Sequence, residues 1–197
     1  MSKLVFTVLP ILAIALVLGA SAAMAQDNVY DLSYYSNANT TGAPDGVLRL
    51  VNDGNLSATS PAGDVCAAIY VFDNREELNE CCSCKITPNG LLALSVNKNL
   101  TNNTLTGKIP TRGVIKVLSS VPVAGVCDPT VSPVHIGIRG WLTHIQQVTA
   151  TSFAQTEEEL TDSTLGAAEY ADLIEDCSVE IELGSGQGQC FCTDSGQ

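Results

Sequence analysis

Basic residues are scarce in this chain of 197 residues, which has nine Lys and Arg against 21 Asp and Glu. Binding to nucleic acid depends on neutralising phosphates with Lys and Arg, so this charge balance argues against a nucleic-acid partner. An anionic membrane surface is disfavoured for the same reason. A glycoside hydrolase is also disfavoured, because it needs two carboxyl groups facing each other across a cleft. Here the carboxylates are dispersed, and there is one Trp to support a sugar ring.

Sequence signatures of common active sites are missing as well. The chain contains no G-x-S-x-G and no H-E-x-x-H, the motifs of α/β-hydrolases and zinc proteases. Residues 95–98 match the S-x-x-K form of serine acyltransferases, but the accompanying S-D-N and K-T-G elements are absent, so we interpret the match as chance. Gly184-x-Gly186-x-Gly188 has no room for a following helix that would bind pyrophosphate, which predicts a flexible turn.

The first 25 residues have the three parts of a secretory signal peptide. Lys3 is the only charge, residues 4–18 are mostly apolar, and Ala23-Met24-Ala25 offers small residues for cleavage before Gln26. The apolar run is shorter than the ~20 residues that span a bilayer, and no later segment approaches that length. We therefore expect a secreted or extracytoplasmic protein, periplasmic or extracellular, with one domain over residues 26–197. That domain would carry eight basic and 21 acidic residues.

The even number of cysteines predicts disulfides, since thiols oxidise outside the cytosol. The eight cysteines are Cys66, Cys81, Cys82, Cys84, Cys127, Cys177, Cys190 and Cys192. Their pairing stays open, although a bond between the adjacent Cys81 and Cys82, or one within Cys190-Phe191-Cys192, would be strained. The 81–84 cluster is therefore expected to bond to distant partners, with Cys190 and Cys192 as attractive candidates.

The same clustered cysteines are compatible with a second interpretation, a thiolate cage for Zn or Cu. Oxidation would remove the thiolates that such a metal needs, so we favour disulfides and expect no metal cofactor. A redox-active pair would require a βαβ setting, which the chain does not show.

Hydrophobic periodicity predicts a mainly β protein. The predicted strands are residues 30–34, 48–50, 66–72, 115–117, 134–138, 141–148 and 179–183. Apolar residues alternate with a period of two in most of these segments, and the pattern of residues 141–148 is mixed. Residues 66–72 are continuously apolar, which is typical of a central strand buried on both faces. Residues 91–96 fit either a strand or a helical turn. Turn residues between these segments favour a two-layer antiparallel β-sandwich-like domain stabilised by disulfides.

One helix is predicted in the C-terminal half of the chain. Thr161, Asp162 and Ser163 offer side-chain oxygens for its N-cap. The positions that share one helical face after them are Ala167, Tyr170, Ala171, Ile174 and Cys177. Acidic residues near the C-terminal end oppose the helix dipole, so packing or a bond at Cys177 has to stabilise this helix.

Two sets of polar residues have a possible chemical role. His135 and His144 are the two imidazoles, so a hydrolase with an unrecognised site would use one of them. Glu157-Glu158-Glu159 with Asp162 is interpreted as a solvated surface, with weak support for Ca²⁺ as a cofactor.

Residues 29–35 form the first predicted strand after the cleavage site. An extended segment there can add to the sheet of a neighbouring molecule, which would give self-association through this strand. Pairing within its own sheet is the favoured interpretation.

Several parts of the chain resemble uncharacterised secreted bacterial proteins with a Cys-Cys-x-Cys core and a Cys-x-Cys tail. The similarity covers residues 34–39, 64–72, 80–84 and 112–116 and the tail. The resemblance implies export and a single domain, and it implies no activity or site residues.

These observations together predict an exported, non-catalytic protein with a structural, adhesive or ligand-binding role in the cell envelope or the extracellular space. The ligand is not indicated by the sequence. The alternatives are a secreted hydrolase that uses His135 or His144 and a metal-binding module at the clustered cysteines.

Overall fold

The computed structural model describes residues 29–54, 60–131 and 133–193. The predicted signal peptide, residues 1–25, lies outside the described residues. The strands are β1 (Tyr30–Ser36), β2 (Val47–Asn52), β3 (Val65–Asp73), β4 (Leu78–Ile86), β5 (Leu91–Ser95), β6 (Arg112–Ser120), β7 (Ile138–Thr149), β8 (Ser152–Glu159) and β9 (Thr161–Asp162). A π-helical turn covers Val96–Leu100, and the helix α1 covers Ala167–Glu182.

The strands form two antiparallel sheets, which confirms the predicted sandwich-like fold. One sheet has the order β4-β3-β6-β1-β9, and the other has the order β5-β2-β7-β8. The main core lies between the sheets, where Ile69 and Ile115 belong to the same cluster as Leu48, Leu94 and Leu142. Burial of such side chains contributes ~1.5–3 kcal/mol each.

The helix α1 covers the outer face of the five-stranded sheet and adds a partial third layer. Tyr70 of β3 and Leu118 of β6 point outward and form a second apolar cluster with Leu173 and Cys177 of α1. Because side chains alternate along a strand, Ile69 packs in the main core while its neighbour Tyr70 packs under the helix. Residues 66–72 are therefore buried on both faces, as their continuous apolar composition predicted.

The prediction of disulfides is confirmed among the described residues. The four pairs are Cys66–Cys127, Cys81–Cys177, Cys82–Cys190 and Cys84–Cys192. The 81–84 cluster on β4 thus bonds to distant partners, and two of its bonds hold the C-terminal segment.

Residues 179–183 do not form the predicted strand. They continue α1, which ends at Glu182, and Val179 and Ile181 are exposed on its outer side. Extending an existing helix adds one hydrogen bond per residue without a new nucleation cost. This gain, together with the bond at Cys177, outweighs the weak preference of Val and Ile for strands.

Residues 134–137 also differ from the expected strand. β7 begins at Ile138, and Val134 and Ile136 are 42% and 43% exposed. Gly137 has φ +138°, a conformation that interrupts a regular strand and that other residues rarely adopt. The residues that follow, 141–148, lie within β7 as predicted.

The start of α1 is also different from the prediction. Thr161 and Asp162 form β9 and pair with β1, and the N-cap is Gly166, which has no side-chain cap. The buried positions of α1 are Leu173, Cys177 and Glu180, whereas residues 167 and 171 are exposed. The helix therefore presents a face rotated from the predicted one, and Cys177, which bonds to Cys81, is common to both faces.

The first strand lies inside its own sheet. β1 pairs with β6 from Tyr30 to Ser36, and β9 covers Asp31 and Leu32 on the other edge. This arrangement agrees with the favoured interpretation, and self-association through residues 29–35 stays a prediction. Asp31 and Ser33 lie on the face opposite Tyr30, and Asp31 is buried.

Within the ambiguous segment 91–96, residues 91–95 form β5 and Val96 begins the π-helical turn. The sequence pattern did not predict β4 or β8. Among the residues that the structure describes, no helix combines the length and apolar composition required to cross a membrane.

Candidate binding cleft

A cleft of about 430 Å³ lies between α1 and the outer face of the five-stranded sheet. Phe72 and Lys116 lie on its floor, because they point outward from β3 and β6 like Tyr70 and Leu118. The carboxylates that line it are Asp73 at the end of β3, Glu76 after that strand, and Glu169, Asp172 and Asp176 on α1. The spacing of the three helical positions, 169, 172 and 176, places them on one side of the helix.

The cleft already holds one ammonium group of the protein. Lys116 Nζ lies 2.6 Å from Glu169 Oε1 and 4.6 Å from the centre of the Phe72 ring. The Tyr30 hydroxyl donates to the same Glu169 oxygen at 2.9 Å. The hydrogen bond from Lys116 is the main cause that lowers the pKa of Glu169, and burial is the main cause that raises the pKa of Tyr30. A carboxylate and an aromatic face together thus stabilise a primary ammonium here.

The remaining charge of the cleft is strongly negative. Lys116 is the one basic residue among the described lining residues, against five carboxylates. An adjoining depression of about 390 Å³ shares Asp73, Glu76 and Val114 with the cleft and continues to Tyr34 and Arg112. Both volumes lie in the range of small-molecule sites, ~300–1,000 Å³.

The structure also brings together four sulfurs of the predicted cysteine clusters. Cys82 Sγ lies 3.8 Å from Cys84 Sγ, and Cys192 Sγ joins the same group within 4.8 Å. All of these sulfurs are in disulfides, including the bond from Cys82 to Cys190. A disulfide sulfur is not the thiolate that Zn or Cu needs, so a metal at this cluster stays a prediction for the reduced chain.

His144 lies between a serine and a carboxylate. Its Nε2 is 3.0 Å from Ser33 Oγ, and its Nδ1 is 3.7 Å from Glu158 Oε2. The imidazole is 1% exposed, and the Tyr34 ring centre lies 4.1 Å from it. The order of hydroxyl, imidazole and carboxylate is that of a Ser-His-acid triad, although the distance to Glu158 exceeds a hydrogen bond. His135 instead contacts the carbonyl of its neighbour Ile136.

The serine of the S-x-x-K match has a structural role, because Ser95 is the N-cap of the π-helical turn. Its Oγ accepts from Lys98 N at 2.8 Å and donates to Asp45 Oδ2. The Lys98 side chain is exposed. The structure thus agrees with the interpretation of this motif as chance.

The acidic residues 157–159 lie on β8, where alternation separates them. Glu157 bonds to Arg49 at 2.8 Å, Glu159 lies 4.0 Å from Arg139, and Glu158 faces His144. The structure therefore does not bring these carboxylates together with Asp162 into one group, and Ca²⁺ binding there stays a prediction.

Two carboxylates that the sequence analysis missed are the most deeply buried. Glu80 is 0% exposed and Glu180 is 3% exposed. The spacing from Cys177 to Glu180 would have indicated a shared helical face, but residues 179–183 were predicted to be a strand.

No family model, curated protein or solved structure matches the chain.

Proposed function

We propose that this protein is an exported, disulfide-stabilised binding domain that takes a cationic ligand in the cleft between α1 and the sheet. The observation that carries the proposal is the position of Lys116, whose ammonium lies between Glu169 and the Phe72 ring. The cleft thus already holds a primary ammonium group, which is the group that we propose the ligand carries. This role is the ligand-binding form of the non-catalytic function predicted from the sequence.

The ligand class follows from the charge around that ammonium. Asp73, Glu76, Asp172 and Asp176 line the same cleft as Lys116 and its partner Glu169. A linear oligoamine suits this arrangement, because its ammonium groups are spaced along a flexible chain that can follow the carboxylates. The chain's formal charge of −12 would attract such a ligand from a distance.

A titration with spermidine at low ionic strength tests the proposal. Small ligands gain about 0.3 kcal/mol per heavy atom, so we expect a dissociation constant on the order of millimolar. Because exposed ion pairs are screened, added salt should weaken the binding.

The variant Asp172→Asn combined with Asp176→Asn should bind spermidine roughly 3- to 10-fold more weakly. Glu175→Gln combined with Glu182→Gln makes the same charge change at exposed positions of α1 outside the cleft. Equal weakening in both double variants would mean that net charge rather than the cleft attracts the ligand, and the proposal would then be wrong.

Export is supported by the four disulfides, which persist in oxidising compartments. Intact mass of the protein purified without reductant should show the loss of eight hydrogens, and N-terminal sequencing should start at Gln26. Free thiols with an uncleaved residue 1 would contradict export.

The contact between His144 and Ser33 favours a second candidate, a secreted ester hydrolase. We propose that His144 Nε2 takes the Ser33 Oγ proton while the oxygen attacks the ester carbonyl carbon. The C–O bond to the alcohol then breaks, the alcohol leaves with the proton from His144, and water activated by the same imidazole hydrolyses the acyl group from Ser33. A fluorophosphonate probe would then label Ser33 in the wild type and leave His144→Ala unlabelled, and a panel of esters would show the same dependence. Activity or labelling that is indifferent to both Ser33→Ala and His144→Ala would dispose of this candidate.

A further inference from the structure

Glu80 of β4 and Glu180 of α1 each bury a carboxylate oxygen that has no hydrogen-bond partner among the described residues. The two atoms are Glu80 Oε2 and Glu180 Oε2, and both side chains are more than nine-tenths buried. Burying a charged oxygen without a partner is costly, because the protein supplies nothing in place of water. Two such oxygens in one region of a small domain therefore require an explanation.

A disulfide and a glycine bring the two carboxylates to one place. Glu80 directly precedes Cys81, which bonds to Cys177, and Glu180 follows Cys177 by one turn on the same buried face. The carbonyl of Gly188 accepts from Cys81 N at 2.8 Å. A Cβ atom at Gly188 would lie 2.8 Å from Glu180 Oε2, so the side chain of Glu180 reaches the same loop.

Asn103 closes this loop from the other side. Its backbone N donates to Glu80 Oε1 at 2.6 Å, and its carbonyl accepts from Gly188 N at 2.7 Å. Its side-chain amide donates to the carbonyls of Gly186 at 2.7 Å and Gln189 at 2.9 Å. The segment beside the two carboxylates is thus rich in backbone carbonyls, and hydrogen bonds from Asn103, Gly188 and Cys81 hold it against β4.

Glu180 can be reached from solvent through an acidic depression. It lines a cavity of about 330 Å³ together with Glu76, Glu77 and Asp176, and no Lys or Arg lies among the described lining residues. Such a concentration of one charge raises the local concentration of counter-ions.

We propose that Glu80 and Glu180 bind a divalent cation of the calcium class at the junction of β4, α1 and the 184–189 loop. Carboxylate and carbonyl oxygens are the ligands that Ca²⁺ prefers, and it tolerates the irregular coordination that loops provide. Softer metals prefer Cys or His, and the nearest cysteine pair is closed in a disulfide. The cation would neutralise the two orphan oxygens and join the C-terminal loop to β4.

Protonation of each of the two carboxyl groups is the competing explanation. Burial raises the pKa of Glu80 and of Glu180 to about 8, and Glu80 and Asp176 add to the effect on Glu180. Without a cation the pair therefore holds protons at neutral pH. Cation binding would displace them, so the affinity should rise between pH 6 and pH 8.5 and proton release should accompany binding.

The experiment is a calcium titration of the full disulfide-bonded protein by calorimetry in two buffers that differ in ionisation enthalpy. We expect a dissociation constant of about 10⁻⁴–10⁻³ M, the range of extracellular calcium modules. The expected companion result is a melting temperature that rises with Ca²⁺ and a release of protons on binding. An unchanged melting temperature at about 10 mM Ca²⁺ would overturn the proposal.

Three variants locate the effect. Glu180→Gln should abolish the calcium response, whereas Glu182→Gln, an exposed change on the same helix, should retain it. Asp172→Asn removes a carboxylate of the binding cleft that does not line this depression, and it should also retain the response. Loss of the response in Asp172→Asn but not in Glu180→Gln would place the cation in the cleft and overturn the assignment. Because the calcium-dependent rise in melting temperature is measured on the wild type, the proposal remains testable if Glu180→Gln does not fold.

Discussion

Cys81 and Cys177 form a disulfide that joins β4 to α1 across 96 residues of sequence. The bond lies between the two candidate sites, the carboxylate pair and the binding cleft. On one side of it are the paired carboxylates Glu80 and Glu180, and on the other side α1 contributes Glu169 to the cleft over Phe72. The position of α1 therefore determines both candidate sites.

Replacing Cys81 and Cys177 together by Ala should destabilise the protein by about 2–4 kcal/mol, because a long loop in the unfolded chain is no longer closed. Urea denaturation without reductant measures the change. The matched control removes Cys66–Cys127, which joins other segments and should cost stability without changing the calcium response. A calcium response that survives the loss of Cys81–Cys177 unchanged would argue against its role in positioning the carboxylates.

Stability should fall as the pH rises from about 5 to 8 when divalent cations are absent. Burial raises the pKa of Glu80 and Glu180 from 4.5 to about 8 and that of Asp31 from 3.8 to about 7, with Asp162 adding to the effect on Asp31. The folded state then binds more protons than the unfolded state in this window, so the slope of the unfolding free energy with pH is negative.

Urea unfolding at several pH values in the presence of a chelator checks the sign of this slope. Glu180→Gln should make the dependence shallower, because one of the groups with a raised pKa is removed, and Glu182→Gln should leave it unchanged. An unfolding free energy that increases steadily from pH 5 to pH 8 would contradict the prediction.

Ser33→Ala should destabilise the fold by about 1–3 kcal/mol, because His144 Nε2 would be left buried without its partner. Ser83→Ala is the matched control. Its Oγ is buried with no partner among the described residues, so its removal should be neutral or slightly stabilising. Thermal denaturation of the two variants distinguishes them, and equal midpoints would mean that the contact to His144 contributes no stability.

Gly113→Ala should destabilise the protein by several kcal/mol, because a Cβ there would lie 1.9 Å from the carbonyl oxygen of Phe72 and 2.8 Å from Tyr35 Oη. Gly166→Ser introduces a side chain where nothing lies within 4 Å and φ is −76°, so its effect should be within a few tenths of a kcal/mol. Urea midpoints compare the two, and a tolerated Gly113→Ala would contradict the close approach of β6 to β3.

Local patterns were sufficient for several elements. The run at 66–72 predicted a strand buried on both faces because it offers no polar side, and β3 is such a strand. The strained alternatives for the cysteines correctly indicated that the 81–84 cluster bonds to distant partners, and two of these, Cys190 and Cys192, lie in the tail. The prediction from local patterns was wrong at 179–183. There the alternation of Val179 and Ile181 stabilises a strand less than the continuation of α1 stabilises the helix.

The candidate sites could not be predicted in the same way. The sequence around His144 does not indicate which way its side chain points. Its contact with Ser33 depends on how β1 packs against β7. Glu80 and Glu180 resemble surface carboxylates in the sequence, and they are buried because β4 and α1 pack together.

The amino-acid sequence by itself determined the acidic charge, the β-rich class, the central strand and the presence of disulfides, because these depend on composition and on patterns a few residues long. Only the tertiary structure decided which face of α1 meets the sheet, which ammonium lies over Phe72 and which two carboxylates share the Gly188 loop. Those arrangements depend on contacts between residues about a hundred positions apart, such as Cys81 and Cys177, and a periodicity that extends over a few residues carries no information about them.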